Sequence, residues 1–326
     1  MKSEEQLVAK AQLGDHTAFN ELAGWHRQRT LLHCYRMLGS FHDAEDALQE
    51  TLIKAWRNIN RYEGRSSFAT WLHRIATNTA LNMIRKRPRV VLPEGFSGGG
   101  ARPITADIAW LEPYPDIHLP APLSDQPDIR IEAKEATRLA FVATLQLLPA
   151  RQRAVLLLID VLGWSAAEVA DAINTTTTAV NSALQRARRR LAEHKNWDET
   201  TEMVEAAVDE FIKLWEAEDI DAIVRLLTSD ATLAMPPTPA WFLGPDEIGR
   251  FFSTVPADGN LGQIHLRKTW ANGQPAVVAY LPSAEGEVRG YGVMVFDTRG
   301  AKISGITGFA DERLIRTFAF PATLTG

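Results

Sequence analysis

Four arginines fall within five residues, Arg186, Arg188, Arg189 and Arg190, just after Asn181, Ser182 and Gln185. Arginine and amide side chains pair bidentately with base edges, and further arginines neutralise phosphates. Thr177 and Thr178 stand immediately before them. A second group begins at Arg61, Tyr62, Arg65 and Ser66 and continues through His73, Arg74, Thr77, Asn78, Asn82, Arg85 and Lys86. Aromatic rings beside basic residues can stack on unpaired bases while the cations hold the backbone. A third group has the opposite sign. Asp43, Glu45, Asp46, Gln49 and Glu50 would repel DNA; the surface is either solvated or a docking face for a basic protein. No complete catalytic set of nucleophile, base and orienting group stands out, and no catalytic residue is assigned. The single cysteine, Cys34, has no nearby Cys or His cluster, so neither an intrachain disulfide, a metal site nor a cofactor is expected.

These groups need elements to hold them. From Asp43 to Ile59 the apolar positions Ala44, Leu48, Leu52, Ala55, Trp56 and Ile59 recur at spacings of three and four, the buried stripe of an amphipathic helix. Gly64 breaks it, and Ser66 or Ser67 can cap the next helix. That helix turns Phe68, Trp71, Leu72, Ile75, Ala76, Thr79 and Met83 inward, presents His73, Arg74, Thr77, Asn78 and Asn82 outward, and ends before Pro88. Ile131–Leu148 and Ala150–Leu162 read as two helices, stopped by Pro149 and Gly163. Ser165 and Glu168 form a capping box for a short helix with Val169, Ala170 and Ile173 inside. After the threonine-rich turn 175–178 comes a long helix with Val180, Ala183, Leu184, Ala187 and Leu191 as its inner stripe: a helix-turn-helix whose outer face suits a major groove.

Two stretches differ in kind. Residues 88–128 carry a triple glycine at 98–100 and many prolines, among them Pro113, Pro115, Pro120, Pro122 and Pro127, and read as a linker. Its segment WLEPYPDIHLP is too apolar for a free tether; Trp110, Leu111, Tyr114, Ile117 and Leu119 are expected to lie on a protein surface. Beyond residue 198, helices at 200–216 and 219–227 precede strand-like runs, with turns at Asn272-Gly273, Glu285-Gly286 and Arg299-Gly300. That predicts an α+β domain with an antiparallel sheet.

The net charge of −5 conceals an asymmetry: residues 1–129 are balanced, 130–195 carry +4 and 196–326 carry −9. Residues 58–92 hold seven Arg/Lys and one acid, Glu63. No apolar run of membrane-spanning length exists, the N-terminus lacks the core of a signal peptide, and a lone thiol suits a reducing compartment, so a cytoplasmic protein is expected.

Residues 43–87, DAEDALQETLIKAWRNINRYEGRSSFATWLHRIATNTALNMIRKR, resemble the second conserved region of extracytoplasmic-function sigma factors. Residues 145–191, including WSAAEVADAINTTTTAVNSALQRARRRL, resemble their fourth. The resemblance implies RNA polymerase core and promoter DNA as partners. It implies that Asp43, Asp46, Gln49, Glu50 and Trp56 meet polymerase. It places Arg61, Tyr62, Arg65, Ser66, Arg74, Asn78, Asn82, Arg85 and Lys86 at the −10 element. Thr177, Thr178, Asn181, Ser182, Gln185, Arg186, Arg188, Arg189 and Arg190 fall at the −35 element. Two to three turns of DNA separate the elements, which a long linker accommodates.

Residues 200–326 resemble SnoaL-like domains, through element order and RLLTSDATLAMPP…GPDEIGRFF. Free-standing relatives are enzymes with an acid–base Asp or His, which makes Asp230, Trp241, His265 and Tyr280 candidate pocket residues here. The expected architecture is multidomain: two all-α domains, the second a helix-turn-helix, and a cone-shaped α+β domain. Its boundaries are 1–87, 88–129, 130–196 and 197–326. The expected function is a non-enzymatic initiation factor whose acidic C-terminal domain modulates activity by contacting the linker or the DNA-reading domains. Two rivals are a helix-turn-helix regulator that works without polymerase and a SnoaL-like enzyme with a helical targeting part.

Overall fold

The computed structural model describes residues 3–87, 105, 108, 110–121, 136–193, 205–238, 240–283 and 286–324. Their contacts form two compact units. One gathers the described parts of 1–89, 118–136 and 144–195; the other gathers those of 90–117, 137–143 and 196–326. The triple glycine and much of the expected linker lie outside the described residues.

The first unit is all helical. α1 (Glu4–Gln12) starts at a Ser3/Gln6 capping box, α2 (His16–Leu38) at an Asp15 cap, α3 (Phe41–Asn58) at Ser40 and α4 (Phe68–Lys86) at Ser67. Each cap satisfies an N–H that the first turn leaves unpaired. Gly39, at φ 75°, closes α2 in the left-handed conformation that favours glycine. Leu7, Phe19, Leu22, Ala55, Ile59, Phe68 and Leu72 form one core across these helices. Burying each large side chain contributes about 1.5–3 kcal/mol.

The helix expected from Ile131 is shorter among the described residues: 136–138 form a turn and α5 spans Leu139–Gln146. Its first N–H, on Leu139, donates to Gln274 Oε1 at 2.8 Å, a long-range cap with no local signal. α6 (Ala150–Leu156) follows Pro149 and widens into a π-helical turn, Leu157–Val161, ending at Gly163. α7 (Ala166–Ala172) carries the Ser165/Glu168 capping box, and α8 (Thr177–Glu193) is the long basic helix. Val155, Leu158, Val169, Ala172, Ile173 and Val180 form the helix-turn-helix core.

Arg153 fastens α6 to α2. It is buried and donates to the carbonyl oxygens of Met37, Gln146 (2.9 Å) and Leu148 (3.2 Å) and to Gln146 Oε1. Burial, with the charge of Arg87 as a lesser cause, pushes its guanidinium down to about 9. Carbonyl dipoles, rather than a carboxylate, offset the cost of removing the cation from water.

The second unit is α+β. Helices α9 (Glu205–Glu216), α10 (Ile220–Leu226) and α11 (Pro245–Phe252) accompany strands β1 (Leu227–Ala234), β2 (Trp241–Leu243), β3 (His265–Ala271), β4 (Gln274–Pro282), β5 (Val288–Arg299) and β6 (Lys302–Phe309). α12 (Arg313–Thr317) and β7 (Thr323–Leu324) complete it. The sheet runs β2-β1-β6-β5-β4-β3, with β7 beside β5. It is mixed rather than antiparallel: β1 and β6 are parallel, and every other pair is antiparallel. The long connection through β2, α11 and the β3–β6 meander returns β6 alongside β1 in the same direction, which no hairpin can do. Gly249 lets α11 approach α10; a Cβ there would lie 2.6 Å from Val224 Cγ2. Phe211, Trp215, Ile248, Phe252, Leu266, Val277, Phe296 and Ile306 fill the core. The Asn272-Gly273 and Arg299-Gly300 turns stand where expected, while Glu285 lies outside the described residues.

Candidate nucleic-acid interface

α8 keeps its reading face open. Thr177, Thr178, Asn181, Gln185, Arg186, Arg188, Arg189 and Arg190 are exposed, and Ser182 is half-buried, while Val180 and Ala187 are buried. One arginine is already engaged. Arg188 donates to Asp160 in the π-helical turn, from Nε at 3.0 Å and from Nη2 at 2.6 Å. That hydrogen-bonded carboxylate raises the Arg188 pKa. The fork-to-carboxylate pair ties α8 to the π-helical turn and leaves Arg186, Arg189 and Arg190 as the cations of the face. Of these, Arg189 is 3.9 Å from Glu193.

α4 is divided. Arg85, Lys86 and Asn82 are exposed at its end, with Arg85 donating to Asn82 Oδ1 at 3.0 Å. Arg61, Arg65 and Ser66 are exposed in the preceding loop, and Arg65 lies 2.6 Å from Glu63. Tyr62 rests on Trp71 and Phe68, its hydroxyl donating to the Ser66 carbonyl at 2.6 Å. Partial burial, then the charge of Glu4, raises its pKa. Phe68 is core, and Trp71 packs partly buried against it.

Two residues assigned to the outer face point inward instead. His73 and Thr77 are buried. Thr77 donates to the His73 carbonyl at 2.8 Å and so accepts from His33 Nε2 at 2.8 Å. His73 Nδ1 donates to the Ala69 carbonyl at 2.7 Å, and its Nε2 is buried with no partner among the described residues. Burial holds both imidazoles below their ordinary pKa, each helped by neighbouring cationic or imidazole groups. α2 packs over this side of α4, so the inward stripe is wider than the aliphatic residues alone suggest.

Arg74 and Asn78 meet the helix-turn-helix. Arg74 Nη1 donates to Asp171 Oδ2 at 2.5 Å and its Nη2 to the Asp171 carbonyl at 3.1 Å. Asn78 Nδ2 donates to the Ala172 carbonyl at 2.9 Å. The C-terminal end of α7 therefore covers part of the face expected to contact the −10 element. Asp171 has no local sequence signal for this role.

The acidic face of α3 is less uniform than its composition. Asp46, Gln49 and Glu50 are exposed, with Glu50 2.7 Å from Lys54. Asp43 is instead paired with Arg87 at the end of α4, and Trp56 is half-buried against Phe19 and His16.

The apolar linker segment is docked, as its composition required. Tyr114 and Leu111 are buried. The Tyr114 N–H donates to Asn272 Oδ1, and the Asn272 N–H donates to the Tyr114 carbonyl, both at 2.8 Å. Asn272 Nδ2 donates to the Thr137 carbonyl at 2.8 Å, and the Gly273 N–H to Asp116 Oδ1 at 2.8 Å. Arg138 reaches Asp297 at 3.0 Å. The β3–β4 turn thus receives chain from within the expected linker and from just beyond its C-terminal end.

The four expected pocket residues do not assemble. Asp230 forms an exposed ion pair with Arg299 at 3.0 Å; hydrogen bonds from Thr228 first, then Arg299, hold its carboxyl low. His265 is exposed on β3. Tyr280 is buried, its hydroxyl donating to the Pro321 carbonyl at 2.9 Å, and Trp241 packs on Ala234. An apolar cavity of this unit, about 210 Å³, is lined by other residues, including Trp215, Phe251, Ala279, Met294 and Phe309. Period-two alternation explains part of this: Ala279 and Leu281 face the cavity, so Tyr280 faces away.

The Sigma-70 region 2 family matches residues 25–90, the Sigma-70, region 4 family residues 138–191, and the SnoaL-like domain family residues 208–306. The chain is 40% identical over 324 residues to the ECF RNA polymerase sigma factor SigG of Mycobacterium tuberculosis, covering 95% of this chain and 85% of that protein. It is 28% identical to SigW of Bacillus subtilis over 57% of this chain and 94% of that protein. The crystal structure of the M. tuberculosis extracytoplasmic function sigma factor SigJ superposes with a TM-score of 0.61 at 22% identity, covering 93% of this chain and 99% of that one. The chain belongs to the extracytoplasmic-function RNA polymerase sigma factors and carries a C-terminal SnoaL-like domain. It binds RNA polymerase core and promoter DNA and directs promoter recognition and transcription initiation. Among the described residues no helix is long and apolar enough to cross a membrane, and no cluster of three His, Cys, Asp or Glu is placed to hold a metal ion.

Proposed function

We propose that the surfaces divide as follows. Asp46, Gln49 and Glu50 of α3 present the polymerase-docking face, with Asp43 and Trp56 shaping the helix from behind. Arg61, Tyr62, Arg65, Ser66, Asn82, Arg85 and Lys86 contact the −10 element, joined by Arg74 and Asn78 once α7 leaves them. Thr177, Thr178, Asn181, Ser182, Gln185, Arg186, Arg189 and Arg190 read the −35 element, and Arg188 orients α8 through Asp160. The protein acts in the cytoplasm and is not an enzyme. Residues 1–87, 130–196 and 197–326 serve as polymerase and −10 binding, −35 binding and regulatory parts, with 88–129 connecting the first two.

The Arg74–Asp171 and Asn78–Ala172 bonds carry this reading furthest. A −10 face held by α7 cannot simultaneously hold DNA, so the described arrangement is a closed form that polymerase and promoter must open. The linker segment at Tyr114 and the chain just beyond the linker at Thr137 are both bonded to the β3–β4 turn, and this supports a regulatory role for the SnoaL-like domain through the linker. Run-off transcription with core polymerase, comparing the full chain with one ending near residue 197, tests both points. Promoter-dependent transcripts are expected from both, in different amounts. Equal output would refute regulation by the tail, and no transcript from either would refute the promoter-reading assignment.

A further inference from the structure

The last turn of α2 leaves the carbonyl oxygens of Tyr35, Arg36, Met37 and Leu38 without a partner inside the helix. The backbone supplies one: the Gly39 N–H donates to Tyr35 at 2.7 Å. Side chains from elsewhere supply the other three. Gln146 Nε2 donates to the Arg36 carbonyl at 3.2 Å, Arg153 Nη1 to the Met37 carbonyl, and Arg87 Nη1 to the Leu38 carbonyl at 3.2 Å. Gln146 also accepts from Arg153 and lies over Gly39, where a Cβ would stand 2.7 Å from its Cδ. In the reverse direction, Arg36 Nε donates to the Ala136 carbonyl at 2.9 Å. Two cations thus meet the negative end of the α2 dipole. Gln146 ends α5 and Arg153 stands in α6, so two of the three side chains come from the part of the chain that carries the helix-turn-helix.

The same two parts also meet at Arg74–Asp171 and Asn78–Ala172. That contact differs in kind. The Arg74 and Asp171 side chains are 41% and 74% exposed, and an exposed pair shifts an equilibrium by about fivefold at most. Arg153 is buried, and a hydrogen bond from a charged group contributes about tenfold to a hundredfold. We propose that the C-terminus of α2 is the latch of the closed form: the seating of Gln146 and Arg153 there, rather than the exposed Arg74–Asp171 pair, decides when the helix-turn-helix leaves the −10 face. This deepens the promoter-reading assignment and rests on the described arrangement being closed. Opening takes the Arg36 and Met37 carbonyls away from their partners. Arg153 keeps its bonds to the carbonyls of Gln146 at 2.9 Å and Leu148 at 3.2 Å, which belong to its own part of the chain. The latch therefore releases without dismantling the helix-turn-helix.

Two measurements on the full chain test the proposal. Nitroxide labels at Asn20→Cys in α2 and Ala167→Cys in α7, both exposed positions, should give one narrow distance by pulsed dipolar spectroscopy, while Cys34 is buried and stays unlabelled. Arg153→Met should spread that distance to longer values, and Gln146→Ala should do so to a smaller extent. Apparent affinity scales with the fraction of chains competent to bind. A single-stranded −10 oligonucleotide should therefore bind Arg153→Met at least tenfold more tightly, against severalfold for Asp171→Ala. Damaged folding does not produce a gain in affinity. Should Arg153→Met unfold, Gln146→Ala leaves both local carbonyl bonds of Arg153 in place and should give about a fivefold gain. A distance that stays narrow in every folded variant, or a larger gain from Asp171→Ala than from Arg153→Met, would overturn the latch. A broad distance in the unaltered chain would overturn the closed form and the latch together. A spread distance with unchanged oligonucleotide affinity would support the latch and remove the −10 assignment.

Discussion

Tyr114 and Asn272, 158 residues apart, exchange two backbone-directed hydrogen bonds of 2.8 Å, the Tyr114 N–H to the Asn272 side chain and the Asn272 N–H to the Tyr114 carbonyl. Asn272 is fully buried and occupies the left-handed region at φ 58°, where asparagine is well tolerated. The turn that joins β3 to β4 is thereby also the receptor for the linker. Asn272→Ala removes the side-chain partner of the Tyr114 N–H and of the Thr137 carbonyl and strains a left-handed site. It should cost about 2–4 kcal/mol, at roughly 1–2 for each of the two lost partners. Hydrogen exchange at residues 110–117 should rise at least tenfold; unchanged protection would show that apolar burial alone holds the segment.

Asp171→Ala removes the acceptor that engages Arg74. The pair is partly exposed, 41% and 74% for the two side chains. Solvent therefore screens it, and stability should change by less than about 1 kcal/mol. Binding of a single-stranded −10 oligonucleotide to the free chain should strengthen severalfold in a fluorescence-anisotropy titration. Unaltered affinity would mean that α7 does not restrict this face.

Arg186→Ala and Arg188→Ala should separate phosphate contact from helix positioning. If Arg186 neutralises a phosphate, its loss lowers the slope of log affinity against log salt by about 1 for a −35 duplex. Arg188 is bonded to Asp160, so its variant should loosen α8 and lower the melting temperature of the helical unit as well. Matching behaviour of the two variants would remove the distinction.

His33 and His73 predict acid sensitivity. Both are buried, and both have folded pKa values below the ordinary imidazole value. The unfolded chain therefore binds protons first: stability is complete above about pH 6.5 and is lost as pH falls below it, by up to about 1.4 kcal/mol per pH unit for each ring. Protonating His73 would place a cation in the core close to Arg29. Denaturant unfolding followed by far-UV circular dichroism should show this slope between about pH 6.5 and 5.5, and His73→Met should reduce it by about half. A pH-independent midpoint would remove the histidines as its source.

Whatever depends on neighbours a few residues away was legible in the chain itself. The Ser165/Glu168 box, the stop at Pro149, the inner stripe of α8 and its exposed Arg and amide dressing all arise from helical periodicity and local hydrogen bonding. The apolar character of Tyr114 and Leu111 required a surface to lie on, though not which one. Tertiary structure alone decided that α2 would cover His73 and Thr77, that Asp171 would take Arg74, that Gln274 would cap α5, and that β1 would run parallel to β6. It also decided that the cavity would be lined by residues 215 to 310 rather than by Asp230, Trp241, His265 and Tyr280. The physical reason is common to all of these. Periodicity states which side of an element avoids water, while partners and empty volume are set by which elements pack against that side, and those come from positions up to 159 residues apart.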